Sequence, residues 1–167
     1  RPHPWVLASD WLLEHAEAGD RIGVEAWDHP LPVESEHLEL LELPIFNEES
    51  DEKWETMERL LEEADYVVVA SRRGYASLAR WPSRYGRTAA YYDRLLGGEL
   101  GFEPVACFGR LPRLGPLVFK DDPTAGLAFS LPHLCQPAAG GVVHLGRLDE
   151  SFVVYDHPQP VIFRAIE

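Results

Sequence analysis

The chain has 167 residues, 46% of them apolar, enough to fill the core of one ordinary domain and too few for two large ones. No run of about 18 apolar residues occurs, so no membrane-spanning helix is expected, and Arg1-Pro-His-Pro4 is no signal peptide. The net charge of −13 argues against nucleic acid as a partner, yet it is unevenly spread: residues 1–71 carry −15, residues 72–113 carry +5 and residues 114–167 carry −3.

Trp5 to His15 reads as a first helix, with Trp5, Ala8 and Leu12 at helical spacing and Gly19 as its stop. Arg21 to Trp27 is a strand in which Ile22, Val24 and Ala26 alternate, ended by Asp28-His-Pro-Leu-Pro32 because proline cannot donate to a ladder. The acidic stretch around residues 34–37 fits no single element, and His37 to Phe46 reads as a second strand whose leucines would also suit a helix. Asn47 to Asp51 supplies caps and first-turn acids for a helix from about Ser50 to Ala64, with Trp54, Met57, Leu60, Leu61 and Ala64 on one face.

The stretch that organises the chain follows. Tyr66 to Ala70 is continuously apolar, as in a strand buried on both faces of a parallel sheet, and it opens at Ser71 into an arginine-rich loop. Strand–helix–strand order calls for a right-handed crossover and parallel pairing. Arg87 to Leu96 is a further helix stopped by Gly97-Gly98, and Phe102 to Phe108 a fourth strand whose Pro104 belongs near an edge. Beyond Arg110 the texture becomes irregular. Leu117 to Phe119 is a short strand, and residues 121–141 form a long stretch rich in Pro, Gly and Ala. Ser151 to Tyr155 and Val161 to Ile166 close the chain as a β-hairpin or as two edge strands.

Together these elements predict one α/β domain, residues 1–167, Rossmann-like and three-layered with a mainly parallel sheet. Residues 1–109 would form the α/β core, and residues 110–167 an irregular excursion and the closing β-hairpin.

The positive island consists of arginine alone. Arginine gives planar, multi-donor recognition of phosphate, while Trp and Tyr suit sugar faces or a membrane interface. Arg72, Arg73, Arg80, Arg84 and Arg87 are therefore candidates for anion or headgroup binding, and Trp81 and Tyr85 for sugar or interface contact. The plainer alternative is that these arginines pair with the acidic helices beside them, and that Tyr91 and Tyr92 pack into the core. Asp28-His29-Pro30 and Asp156-His157-Pro158 admit metal or acid–base roles, but turn chemistry explains both. His133, Cys135 and His144 match no strong zinc spacing, and one bridge between Cys107 and Cys135 stays open. No P-loop, serine elbow or dinucleotide fingerprint is present.

In order along the chain stand Ala8-Ser-Asp-Trp11, Gly19-Asp-Arg-Ile22, Glu25-Ala-Trp-Asp28, Leu31-Pro32, Asp65-Tyr-Val-Val68, Pro82-Ser-Arg-Tyr85, Tyr91-Tyr92, Gly98-Glu-Leu-Gly-Phe102, Pro112-Arg-Leu-Gly115 and Glu150 to Pro158. This succession resembles the extracytoplasmic C-terminal region of polytopic membrane glycosyltransferases of the dolichyl-phosphate-mannose-protein mannosyltransferase type, family 39-like. The chain departs from that pattern at Arg72-Arg73, where Asn-Arg is expected, and at Gly86, where Pro commonly follows Arg-Tyr.

The resemblance implies a membrane-tethered domain on the extracytoplasmic face, attached to the transmembrane part of the same polypeptide. Its implied ligand is a polyprenyl-phosphate-linked sugar or anionic lipid. The catalytic acids of such enzymes lie on loops outside this sequence, so no catalytic residue, metal or cofactor is assigned. Three roles follow as expectations: an accessory domain that helps place donor or acceptor, a module docking on the transmembrane bundle or a partner, and a free-standing hydrolase or metal enzyme using Asp28, His29, Asp156 and His157. A chain without an initiator Met is also expected to be a piece of something longer.

Overall fold

The computed structural model describes residues 2–32, 36–137, 141–148 and 157–166. The first half runs α1 (Pro4–His15), β1 (Arg21–Glu25), β2 (Glu39–Leu43), α2 (Asp51–Glu63), β3 (Tyr66–Val69), α3 (Arg73–Ser77), a 3-10 turn (Leu78–Arg80) and α4 (Gly86–Leu96). The second runs β4 (Phe102–Cys107), β5 (Arg113–Leu114), β6 (Leu117–Lys120), a second 3-10 turn (His133–Cys135), β7 (Gly141–His144) and β8 (Val161–Ala165).

Local chemistry explains the boundaries. Pro4 occupies the first turn of α1, where its missing N–H costs nothing, and His3 Nδ1 accepts from the Trp5 amide at 3.3 Å. At α2, Ser50 Oγ accepts from the Lys53 amide at 3.1 Å, and Asp51 and Glu52 face the positive end of the helix dipole. Gly98 and Gly101, at φ +76° and +78°, turn the chain from α4 into β4.

The main sheet has five strands in the order β2-β1-β3-β8-β4. β1 pairs parallel with β2 and β3, and α2 carries the chain from β2 across to β3. β8 pairs antiparallel with both β3 and β4. The fold is thus α/β, but the sheet is mixed and not mainly parallel. Nor does Val161–Ala165 lie at an edge. Val161, Ile162 and Phe163 are fully buried, so this strand carries apolar side chains on both faces and takes a central place. Its expected hairpin partner, 151–155, lies outside the described residues. β4 is an edge strand, and Pro104 sits at the shift in its register, where a missing N–H is tolerated.

Both faces of this sheet are covered. Trp54 and Met57 of α2 and Tyr92 and Leu95 of α4 pack on Leu43, Val67, Val69 and Phe163. Ala8 and Leu12 of α1 pack on Ile22, Val24, Val68 and Ile162 on the other side. The alternation of Val67 and Val69 against Tyr66 and Val68 is the period of two that sends neighbouring residues to opposite layers. Each buried Val, Ile or Leu side chain contributes about 1.5–3 kcal/mol.

Two further departures concern the segment after β3 and the excursion. The segment after β3 is helical from Arg73, and the excursion contains a three-stranded sheet, β5-β6-β7, with β6 and β7 parallel. Cys107 and Cys135 form a disulfide with a Cα–Cα distance of 5.3 Å, fastening the excursion to the end of β4. Among the described residues no helix is long and apolar enough to cross a membrane.

Candidate functional site

From β1 the chain departs toward β2, whereas from β3 it departs toward α3 and α4, so their outgoing loops diverge. In open α/β sheets such a parting at the carboxyl ends of parallel strands is where ligands sit. Here the loops are tied together. Ser71 Oγ donates to Asp28 Oδ2 at 2.6 Å and accepts from the Arg73 amide at 3.1 Å. Arg73 Nη1 donates to the Trp27 carbonyl at 3.0 Å. Trp27 itself adopts φ +70°, a left-handed conformation unusual for so bulky a residue, and its side chain is 82% exposed.

Beneath these loops lies Glu25, the last residue of β1, only 2% exposed. Its Oε1 accepts from the Tyr92 hydroxyl at 2.6 Å. Oε2 has no hydrogen-bond partner among the described residues, and neither have the buried Tyr75 and Tyr91 hydroxyls. Burial pushes the Glu25 carboxyl up to about 8; the Tyr92 hydrogen bond opposes this and the charge of Asp28 adds to it. The Tyr75 phenol is pushed up to about 12 by burial, against the favourable charge of Arg72. Tyr92 meets the other two tyrosines edge to face, with centroids 6.1 Å apart for Tyr75 and Tyr92 and 5.0 Å for Tyr91 and Tyr92. A Cβ at Gly74 would collide with the Tyr92 hydroxyl, so glycine lets α3 press onto α4 and closes the lid over the acid. Chemically this is a carboxyl that keeps its proton at neutral pH, sealed from solvent.

The five candidate arginines do not share one ligand site. Arg72 is buried and forms an ion pair with Asp121, joining the start of α3 to the end of β6. Arg80 donates to three backbone carbonyls, those of Ala76 at 2.7 Å, Ala125 at 2.9 Å and Pro123 at 2.7 Å, and so fixes the loop after β6. Arg87 pairs with Asp51 at 2.9 Å and lies over the Trp54 ring, as the plainer alternative expects. Arg73 holds the Trp27 carbonyl. Arg84 lies over the Tyr85 ring at 5.2 Å on an exposed turn, next to Trp81, which is 66% exposed.

Beside the island, the sequence reading missed a buried cation. Lys53 Nζ donates to the carbonyls of Ile45 at 2.9 Å and Asn47 at 3.1 Å, to Thr88 Oγ1 at 2.9 Å and to Glu49 Oε1 at 3.3 Å. Glu49 also accepts from the Arg87 and Thr88 amides and from the Thr88 hydroxyl, capping α4 from outside the helix. Burial alone would raise the Glu49 carboxyl, but Thr88 and the Lys53 charge hold it below its ordinary value. The acids beginning α2 pointed to a cap, not to a lysine turned inward.

No family model, curated protein or solved structure matches the chain. Of the metal candidates, Cys135 is spent in the disulfide, Asp28 is bonded to Ser71 and His29 packs edge-on against Trp5 at 3.9 Å. Asp156 lies outside the described residues. Among the described residues no group of three or more His, Cys, Asp or Glu side chains is arranged to hold a metal ion.

Proposed function

We propose that this chain is the extracytoplasmic, non-catalytic accessory domain of a polytopic membrane glycosyltransferase that uses a lipid-phosphate-linked sugar. The observation that carries this reading is the Cys107–Cys135 disulfide, since such bonds persist in oxidising compartments. The fold supports it as a Rossmann-like variant, in which β2-β1-β3 with its helical crossover is the parallel half and β8-β4 an antiparallel completion. Because Arg72, Arg80 and Arg87 hold the chain's own groups, assistance to the donor or acceptor falls to the outward turn of Trp81, Arg84 and Tyr85.

The test is thiol labelling of the full-length protein in intact cells. Cys107 and Cys135 should resist a membrane-impermeant maleimide until an impermeant reductant is added, and then react from outside. Labelling only by a permeant reagent, with no reductant needed, overturns the assignment. A second reading, a module docking on the transmembrane bundle, is favoured by the internal use of the arginines. Crosslinks from position 81 into the membrane helices would support it over donor placement.

A further inference from the structure

The hairpin of β5 and β6 differs in make-up from the surface around it. Gly115, at φ +59°, takes the first central place of a two-residue turn and Pro116 the second. Leu114 and Leu117 stand opposite each other across the turn and are 71% and 40% exposed. Val118 and Lys120, which alternate with Leu117 along β6, are buried. The inner row of the strand is therefore already packed, and the leucines form its outer row. At the hairpin's base, Leu111 and Arg113 line an open hollow of about 200 Å³ together with Leu134 and the disulfide. Leu134 is itself 40% exposed, and the bond from Cys135 to Cys107 holds it there.

Charge distinguishes this surface further. From Pro104 to Lys120 the chain contains no acid, and Arg110 and Arg113 are exposed. Of the next two acids, Asp121 is engaged by Arg72 and Asp122 lies 3.1 Å from His144. An apolar tip flanked by two arginines matches the boundary between anionic headgroups and acyl chains. Residues 1–71, at −15, are repelled from that same boundary. We propose that Leu114 and Leu117 at the hairpin tip, with Arg113 on the opposite face of β5 and Arg110 just before it, form a lipid-facing contact that seats the domain on an anionic bilayer.

This deepens the membrane-side reading above and rests on it for a bilayer being within reach. Vesicle binding reports on the hairpin and thiol labelling on the compartment, so the two can fail separately. The experiment is flotation of the 167-residue chain with vesicles of phosphatidylglycerol and phosphatidylcholine, or of phosphatidylcholine alone. The chain should float with the anionic vesicles only, and less as salt is raised. An arginine beside an anionic surface is worth about fivefold in affinity, so R110A/R113A should bind about 30-fold more weakly. L114D/L117D should not float, while its circular dichroism and melting temperature stay those of the parent. The proposal is overturned if the parent stays off the anionic vesicles or if both variants float as it does. A lipid-free dimer that L114D/L117D dissociates would also overturn it, because the hairpin would then be a contact between copies.

Discussion

Tyr92 donates its hydroxyl to one oxygen of Glu25, while the other oxygen finds no partner among the described residues. One hydrogen bond does not replace the hydration lost on burial, so the fold favours the neutral acid. The groups that face it are Tyr92 from α4, Tyr75 from α3 with Arg72 beyond it, and Asp28 from the loop after β1.

A pH dependence follows. The carboxyl moves from 4.5 to about 8, so the folded chain binds a proton that the unfolded chain releases. The associated stability is complete below about pH 4.5 and is lost as pH rises through about 8. The steepest loss is about 1.4 kcal/mol per pH unit. Glu25→Gln keeps the acceptor for Tyr92 and removes the titration. Denaturant unfolding should give a flatter pH profile for the variant, and parallel profiles would refute the buried proton.

Gly74→Ala sets two effects against each other. In an exposed helix alanine gains about 1 kcal/mol over glycine, but here its methyl meets the Tyr92 hydroxyl and, at 2.7 Å, the ring carbon that bears it. Overpacking of this kind costs about 1–3 kcal/mol, so a net loss of stability is expected. Tyr92→Phe should restore only part of it, because the ring carbon remains. Thermal melts of the two single variants and the double variant measure the coupling.

Lys53→Met preserves the buried stem and deletes the charge. The carbonyls of Ile45 and Asn47 then lose their donor and Glu49 its cation, at a cost of about 3 kcal/mol. Adding Glu49→Gln should recover part of the loss. A double variant that loses as much stability as Lys53→Met and Glu49→Gln lose separately, added together, would mean that the pair is not coupled.

The disulfide closes a loop spanning 28 positions, for which chain entropy gives roughly 3–4 kcal/mol. C107S/C135S should lose about that much stability, melt lower than the parent and lose the difference between reducing and oxidising buffer. Hydrogen exchange should rise first around residues 133–137, which the bond holds against β4. An unchanged melting temperature would mean that the excursion is held by its other contacts, among them Arg72, Arg80 and the buried Phe129 and Leu131.

Local periodicity and capping made α1, α2, α4, β1 and β3 legible in the sequence. Ser50 before an acidic turn and four apolar residues at Tyr66–Val69 each permit few alternatives. Pairing was less legible. Val161-Ile-Phe163 has the same texture as a parallel core strand, and only the partner decides its direction. The partners of the arginines were not legible, because they lie far along the chain, at Asp121 for Arg72 and at Pro123 and Ala125 for Arg80. Glu25 was not singled out, because the alternation of Ile22, Val24 and Ala26 marks only one face of β1, whereas both faces of that strand are covered.

β8 comes last among the described elements and occupies an interior place in the sheet, between β3 and β4. Until residues 161–165 have been synthesised, β3 has an unpaired side and β4 has no neighbour in the main sheet at all. Sheet closure therefore waits on the final strand, and its long-range pairing belongs to the slow class of folding events. A chain cut before Val161 would offer two adjacent edges with a strand-wide gap between them, open to a strand from another molecule.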